Sequence, residues 1–342
     1  MLKWFEKTDF SRPQIVYSRI RLVRNVKDYL FPGKLEEKEG RELIGRLEFE
    51  TRDLKDADGM DYRFAMLEDL DEVEVKALWE RRVINASSAQ KKGPVGLRFS
   101  RDESISLVFN GDDHIRLQFL KTGLCLEELL DKANEMDVQL NQRFPYAFDE
   151  KYGYLTAFPT NMGTGLRASV LVHLPLISQG RKFAGLLGDM GRFGIAVRGV
   201  YGEENFGSLY EISNQKTLGQ TEKEIVEGVA KAAIQLTNQE KAARKIAVQR
   251  RRTDREDEVY KSYGVLKYAR RLSARDSMIF LSQIMAGLED GLIQFDKECS
   301  IYRIMLGCQP GNLQRISDRP LSKEEQDRMR AEFIRQELPE LR

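Results

Sequence analysis

Hydrophobic and polar positions alternate in two stretches on either side of residue 111. Residues 104–109 and 114–119 each carry apolar side chains at every second position, which is the period of a half-buried β-strand. The four residues between them, Asn110-Gly111-Asp112-Asp113, have the composition of a turn. The pattern predicts an antiparallel hairpin with acidic side chains at its tip.

Longer stretches of the chain show the helical period. Leucine and alanine recur at helical spacing over residues 126–144, and Thr221-x-x-Glu224 is a capping box that opens a long helix. From residue 248 the pattern is helical throughout and ends in a capped helix at 322–338. The remaining expected elements are strands at 59–67, 154–158, 194–201 and 208–212, and helices at 166–174 and 177–190.

The junction between the expected strand at 154–158 and the expected helix at 166–174 contains two glycines and Arg167. Glycines allow close backbone approach, a helix N-terminus attracts anions, and arginine adds a forked positive charge, so the junction predicts a phosphate site. The same letters also fit the dinucleotide fingerprint G-x-G-x-x-A and a purely structural turn. A dinucleotide site is disfavoured, because four residues separate the strand from the first glycine and the acid expected about twenty residues further on is missing.

Composition excludes several classes of protein. Lys plus Arg total 55 and Asp plus Glu total 54, which leaves a net charge of +1, so no global charge indicates nucleic acid or an anionic membrane. Three cysteines and two histidines lie at no metal-ligand spacing, which argues against a disulfide framework or a zinc site. Residues 1–7 lack an apolar signal core, and the longest apolar run is too short to span a bilayer. A cytoplasmic protein is expected.

Five motifs stand out, and the first four place arginine or acid where phosphate and metal would be held. They are Ser18-Arg19-Ile20-Arg21, residues 110–116, 161–169, 198–203 and 212–215. In this order, and with residues 263–266 and 309–311, they resemble the phosphagen (ATP:guanidino) kinases, and within that family the bacterial protein arginine kinases of the McsB type. The resemblance covers nearly the whole chain. It implies an α+β fold, with a catalytic domain of antiparallel sheet and flanking helices at 1–247 and an all-helical C-terminal domain at 248–342.

The resemblance also implies the site residues. Asp112, Glu203 and Arg167 are the expected catalytic residues, and Asp113 is expected to help hold Mg²⁺, so ATP and Mg²⁺ are the expected cofactors. The implied ATP-binding positions are Ser18, Arg19, Ile20, Arg21, Arg82, Arg116, Arg167, Ala168, Ser169, Val170, Leu171, Arg198, Gly199, Val200, Tyr201, Gly202 and Glu203. In the tail, Asp327, Arg330 and Ala331 are expected to bind phosphoarginine.

The implied activity is transfer of the ATP γ-phosphate to arginine side chains of proteins. Family members that act on small guanidines carry a helical domain before the first motif, whereas 17 residues precede Ser18 here and about 95 follow the catalytic region. The implied partners are proteins with exposed arginine, a zinc-binding activator, a Clp-type protease in stress-linked quality control, and a second copy of the chain. Neither a membrane nor nucleic acid is expected.

Several positions depart from the family pattern. Gly111 and Asp112 occupy two positions that usually hold glutamate, Phe158 replaces a reactive cysteine, and Gln326 replaces an arginine of the tail motif. These departures leave a second function open, in which the chain is a catalytically weakened relative that binds nucleotide or phosphoarginine as an adaptor.

Overall fold

Strands and helices are mixed in the first two thirds of the chain, and helices make up the last third. The structure, a computed structural model, describes residues 2–9, 11–54, 61–201 and 204–342. The strands are β1 Ile15–Arg24, β2 Tyr62–Met66, β3 Gly96–Ser100, β4 Ile105–Phe109, β5 Ile115–Thr122, β6 Phe148–Asp149, β7 Gly153–Tyr154, β8 Leu166–His173, β9 Ile195–Gly199 and β10 Leu209–Asn214. The helices are α1 Glu37–Thr51, α2 Glu72–Glu80, α3 Ala86–Gln90, α4 Leu126–Arg143, α5 Phe183–Arg192, α6 Glu222–Arg250, α7 Arg252–Tyr268, α8 Ala274–Glu289, α9 Ile301–Gly307, α10 Pro310–Gln314 and α11 Lys323–Glu337.

The chain divides into two units by the density of internal contacts. The first contains residues 1–4, 17–169 and 213–230, and the second contains residues 5–16, 170–212 and 231–342. Strand order is β2-β3-β4-β5-β1-β8-β10 in the first unit. Strands β1, β8 and β10 each have one end in the second unit, where the order is β1-β8-β10-β9. The expected domain boundary between residues 247 and 248 stays a prediction.

Strands β1 and β5 build the apolar face of the first unit. Ile20 and Leu22 of β1 are fully buried and lie opposite Phe119 and Leu117 of β5 in antiparallel register. Residues directly opposite each other in an antiparallel pair share a face, so these four side chains form one apolar surface. Helix α4 packs against β5, as its amphipathic spacing requires.

Polar side chains fasten both ends of β1 to α4. The Ser18 hydroxyl donates to the carbonyl of Gly123 at 2.8 Å and accepts from the backbone N–H of Cys125, just before α4, at 3.1 Å. At the other end, Arg24 forms an ion pair with Asp137 of α4 at 2.8 Å. Ser18 and Arg24 lie two residues before Ile20 and two residues after Leu22, so all four side chains share one face of β1. Helix α4 therefore lies on the apolar face. The opposite face carries Arg19 and Arg21.

The second unit is largely helical. Helix α7 packs on α8 and α11, and α9 packs on α8, α10 and α11. The Ser322 side chain accepts from the N–H of Glu325, whose carboxylate accepts from the N–H of Ser322, so the predicted capped helix at the end of the chain is confirmed. In the part of the chain that the structure describes, no helix has an apolar stretch long enough to cross a membrane.

The predicted helix at residues 166–174 is wrong, since these residues form strand β8. Almost every side chain of β8 is buried, and a strand buried on both faces shows a continuous apolar run instead of alternation. Such a run cannot be distinguished from a buried helix by its period alone. The expected strand at 154–158 is also shorter, because only Tyr154 belongs to β7 and residues 159–161 form a 3-10 turn.

Other predicted elements agree with the structure. The hairpin is β4 and β5, the helix at 126–144 is α4, and the strand pair after residue 194 is β9 and β10. The capping box at Thr221 and Glu224 is formed. The expected strand at 59–67 corresponds to β2, although its first two residues lie outside the described residues. The expected helix at 177–190 starts later, at Phe183, after a 3-10 turn.

Candidate functional site

Arginines line the face of the first unit's sheet opposite α4. Arg19 and Arg21 alternate with Ile20 along β1 and therefore project to the other face. In the antiparallel register Arg21 lies opposite Gln118 of β5, and Arg116 is two residues away on the same strand. A diagonal separation of this kind is about 7–8 Å. Two strands thus place three guanidinium groups on one face.

Strand β8 adds a fourth guanidinium group. Arg19 Nε donates to Ser169 Oγ at 3.1 Å, so Ser169 shares the face of Arg19. Arg167, two residues before Ser169, shares it as well, and its Nη2 lies 3.5 Å from Ser213 Oγ of β10. We call Arg19, Arg21, Arg116 and Arg167 the arginine face. Four like charges on neighbouring strands create a strongly positive surface that attracts an anion.

A turn after α2 brings Arg82 to the edge of the arginine face. Gln118 Nε2 donates to the carbonyl of Arg82 at 2.7 Å, and Gln118 Oε1 accepts from Arg116 Nη2 at 3.3 Å. The Ser106 hydroxyl donates to the carbonyl of Val83 at 2.8 Å, which holds the next residue of the turn. Gln118 therefore links two of the expected ATP-binding arginines. Sequence reasoning missed it, because an isolated glutamine in a strand carries no motif.

The glycines near β8 are required by close backbone approach. Gly163 and Gly165 have positive φ values of 105° and 63°. A Cβ on Gly163 would lie 2.5 Å from the carbonyl oxygen of Thr217, one on Gly165 would lie 2.5 Å from Arg24 Nη1, and one on Gly153 would lie 2.5 Å from the carbonyl oxygen of Gly163. Gly163 and Gly165 therefore meet a structural requirement of the backbone. The predicted helix N-terminus at this junction is wrong, because strand β8 follows, while a phosphate contact by Arg167 stays a prediction.

Asn214 fixes the backbone of β8 beside Arg167. Its Oδ1 accepts from the N–H of Ala168 at 2.9 Å, and its Nδ2 donates to the carbonyls of Leu166 and Lys216 at 3.0 Å each. All of its bonds go to backbone, and the side chain is buried. The segment 212–215 stood out in the sequence, but this positioning role did not.

The two acids at the hairpin tip have different environments. Asp113 is buried, and its Oδ1 accepts from Asn25 Nδ2 at 2.8 Å and from the N–H of Ala157 at 2.6 Å. Burial raises the pKa of Asp113, and the two hydrogen bonds partly oppose this. Asp113 therefore joins three segments of the first unit, while Asp112 stays half-buried at the tip.

His114 is a second buried residue that connects the tip to a neighbouring segment. Its Nδ1 accepts from the N–H of Val26 at 3.1 Å, and its Nε2 lies 2.9 Å from the carbonyl of Leu30, so Nε2 carries the proton. Its backbone N–H donates to Asn25 Oδ1 at 2.9 Å. Burial lowers the pKa of His114 to about 4, so the ring is neutral at physiological pH.

Other expected site residues lie outside the arginine face. Ile20 and Ala168 are buried on the opposite face of their strands, and Ser18 is engaged with the segment before α4. Arg198 is exposed at the end of β9 in the second unit. Two more of these residues, Val170 and Leu171, are buried in β8. Directly after Arg198 come Gly199, Val200 and Tyr201. The last two, Gly202 and Glu203, lie outside the described residues.

The expected phosphoarginine residues of the tail form internal contacts. Arg330 is 2 % exposed, and its Nη1 donates to Asp327 Oδ1 at 2.6 Å and to the carbonyl of Leu272 at 2.9 Å. Its Nε donates to the carbonyl of Cys308 at 3.1 Å, and Ala331 is fully buried. These contacts connect α11 with the segments before α8 and after α9.

Two family models match the chain. Residues 48–243 match ATP:guanido phosphotransferase, C-terminal catalytic domain, and residues 252–342 match Protein-arginine kinase McsB C-terminal domain. The protein-arginine kinase of Caldanaerobacter subterraneus subsp. tengcongensis is 35% identical over 334 residues, which cover 96% of this chain and 98% of that protein. The protein-arginine kinase of Halalkalibacterium halodurans is 36% identical over 339 residues, covering 98% and 94%.

Solved structures share the fold. The crystal structure of lombricine kinase aligns with a TM-score of 0.59 at 21% identity, over 70% of this chain and 69% of that chain. The duplicated taurocyamine kinase of Schistosoma mansoni, with bound transition state analog components, aligns with a TM-score of 0.57 at 22% identity, over 71% of this chain and 36% of that chain. The predicted fold class, an antiparallel sheet with helices and a helical C-terminal part, is confirmed.

Proposed function

Since the chain belongs to the ATP:guanido phosphotransferase family, we propose that it is an ATP-dependent protein arginine kinase. Similarity to protein-arginine kinases extends over nearly the full length of both chains, and the match to their C-terminal domain accounts for the helical tail. The observation that carries the proposal is the arginine face within the matched catalytic region, because it gives a triphosphate the positive surface that it needs.

The arginine face is the proposed binding surface for the phosphates of ATP. Phosphoryl transfer depends mainly on positioning and on neutralising the charge of the transferring group. Arginine forks bind phosphate oxygens in pairs, and strands hold them more rigidly than loops do. Arg19 is fixed by Ser169, and Arg116 by Gln118, so their side chains are ordered before ATP arrives. Arg198 is proposed to contribute as the family resemblance implies.

The acidic tip is the proposed binding surface for the acceptor. A guanidinium group is protonated at neutral pH and is a poor nucleophile. Asp112 and Glu203 are proposed to hydrogen-bond it, to orient one nitrogen towards the γ-phosphorus, and to take the proton that this nitrogen loses. A P–N bond forms while the bond from the γ-phosphorus to the ADP oxygen breaks.

Magnesium is proposed to arrive with the nucleotide. Among the described residues, no group of three or more His, Cys, Asp or Glu side chains is arranged to hold a metal ion. Mg²⁺ commonly keeps several waters and binds through substrate phosphates and one or two carboxylates, which fits this residue set. When bound, the ion would neutralise phosphate charge. The contribution of Asp113 to the metal site stays a proposal. Its Oδ1 already accepts hydrogen bonds from residues 25 and 157.

The assignment of separate functions to the two parts of the chain is also a proposal. Residues 1–247 are proposed as the catalytic domain and 248–342 as a helical domain for phosphoarginine binding and dimerisation, which the gap between the two family matches supports. The internal hydrogen bonds of the Arg330 guanidinium leave it fewer donors for phosphoarginine. The zinc-binding activator, the Clp-type protease and the cytoplasmic location remain implications of the family resemblance.

Incubation of the full chain with labelled ATP, Mg²⁺ and an arginine-rich protein tests the proposal. The products are analysed at neutral pH because P–N bonds are labile in acid, and label on arginine, absent with Asp112→Asn, is the expected result. A protein that binds ATP but labels no arginine would replace the kinase with the nucleotide-binding adaptor.

A further inference from the structure

We propose that helix α3 and the residues flanking it position the Asp112 carboxylate for the acceptor guanidinium. We call Asn85, Ser87 and Lys91 the α3 cradle. The inference rests on the proposed kinase function and extends it, because the sequence assigns this segment no chemistry. The cradle residues act through Asp112 and are therefore positioning residues.

Both carboxylate oxygens of Asp112 are held by side chains of the cradle. Asn85 Nδ2 donates to Asp112 Oδ2 at 3.1 Å, and the Ser87 hydroxyl donates to Asp112 Oδ1. One donor on each oxygen fixes the rotation of the carboxylate plane. Asn85 is itself held, because its Oδ1 accepts from the Ser88 hydroxyl at 2.5 Å. The carboxylate orientation is therefore set from outside the hairpin.

Lys91 holds the backbone immediately before Asp112. Its Nζ donates to the carbonyl of Asn110 at 2.6 Å and to that of Gly111 at 2.9 Å. Asn110 has a positive φ of 55°, and such a turn keeps its shape only when neighbouring groups stabilise it. The lysine thus fixes the turn from which the Asp112 side chain extends.

Gly111 lets α3 come this close. A Cβ at position 111 would lie 3.2 Å from both Ser88 Oγ and Val108 Cγ1, which is tighter than ordinary van der Waals contact. A larger residue would therefore press on α3. The two departures from glutamate at this tip form a single arrangement, in which glycine admits the helix and the helix holds the shorter aspartate.

The cradle fixes the geometry of Asp112, which is proposed to receive a proton from the guanidinium. Misplacement of a reacting group by about 1 Å can lower a rate by roughly a hundredfold. Loss of a cradle donor should therefore reduce turnover.

Ser87→Ala in the full-length protein is the decisive variant. Ser87 is exposed, so its loss does not open the core. We expect kcat to fall about tenfold to a hundredfold and KM for ATP to change less than about twofold. Ser87→Thr, which keeps the hydroxyl, should retain most of the rate.

Lys91→Met provides an independent second variant, and Gln90→Ala is the matched control on the same helix. Lys91→Met should lower kcat as Ser87→Ala does, and Gln90→Ala should leave kcat unchanged. Unchanged kcat in both cradle variants, with an active wild-type protein, would overturn the cradle alone. Loss of activity that follows a loss of thermal stability would also overturn it. A wild-type protein that labels no arginine would overturn the proposed kinase function itself.

Discussion

The arginine face of the first unit and Arg244 of the second unit differ in what surrounds their guanidinium groups. On the arginine face of the first unit, Arg21 and Arg167 are partly exposed, and strand alternation sets their direction. In the second unit, Arg244 is 2 % exposed and forms ion pairs with Glu240, Glu289 and Asp290, the first and last at 3.5 Å. One set of guanidinium groups lies beside others of the same sign, and the other lies among carboxylates.

This difference separates the proposed binding arginines from structural ones, which the sequence could not do. A guanidinium group enclosed by internal oxygens has few donors left for a ligand, whereas like charges on one sheet face gain stability when an anion binds between them. Arg244 and Arg330 are of the first kind. The comparison therefore predicts that substitution of Arg244 or Arg330 changes folding stability and that substitution on the arginine face changes ATP binding.

The largest expected effect is on Arg244. Arg244→Met leaves three buried carboxylates without their cation, and removal of one partner of a buried ion pair costs about 3–5 kcal/mol. Urea unfolding at pH 7 measures the loss in the free energy of unfolding. Burial raises the pKa of Glu240 and of Asp290, so the penalty should shrink as the pH falls and these carboxyls become protonated. An equal penalty at pH 5 and pH 8 would contradict this assignment.

His114 should give the next largest effect, and it lies in the first unit. Its pKa falls from 6.5 to about 4 on folding, so between these values the unfolded chain binds the proton and the folded protein does not. Stability due to the neutral ring is therefore present above about pH 6.5 and lost as the pH falls towards 4, a change of about 3 kcal/mol.

The raised pKa of Asp113 acts in the opposite sense, so the measurement compares the wild-type protein with His114→Gln. Urea unfolding of both proteins at several pH values isolates the contribution of the ring. Their free energies of unfolding should converge as the pH falls from 6.5 to 4. Parallel curves would show that the ring does not carry this pH dependence.

Arg167 tests the arginine face itself. Arg167→Ala removes charge-assisted hydrogen bonds to phosphate, each about 1.5–3 kcal/mol, so ATP affinity should fall roughly tenfold to a hundredfold while the free energy of unfolding changes little. Arg167→Lys should recover only part of the affinity, because a single ammonium cannot replace the fork. Calorimetric titration with ATP and Mg²⁺ measures both. Full recovery with lysine would contradict a bidentate contact.

The smallest effect is expected at a surface arginine of the second unit. Arg328 pairs with Glu324 one turn away on α11 at 2.7 Å, and both are exposed. Such a pair contributes about 0.3–0.5 kcal/mol, so Arg328→Ala should unfold almost as the wild-type protein does and bind ATP normally. A loss near that of Arg244→Met would mean that enclosure by buried carboxylates does not separate the two kinds of arginine.

Local pattern was sufficient for the hairpin, α4 and the helical tail, because each shows a clear period or cap. Strand β8 was mistaken for a helix since burial on both faces removes its alternation. The motif arginines followed from the family resemblance, whereas Gln118 and the positioning role of Asn214 did not. Their roles depend on strand register and on a neighbouring strand, and a single sequence displays neither.

The acidic tip shows the same limit. Asp112 and Asp113 are adjacent in sequence, and turn composition alone gives them one role. The structure separates them, because Asn25 and Ala157 enclose Asp113 while α3 contacts Asp112. Both contacts come from segments more than twenty residues away, so a motif could not reveal them.

The glycines near β8 also constrain how this protein can evolve. Gly153, Gly163 and Thr217 stack backbone on backbone, with a Cβ on either glycine falling 2.5 Å from the next carbonyl oxygen. The two clashes lie in different gaps, residue 153 against 163 and residue 163 against 217, so neither replacement makes room for the other. Each glycine is therefore constrained separately, and we expect lineages to keep both.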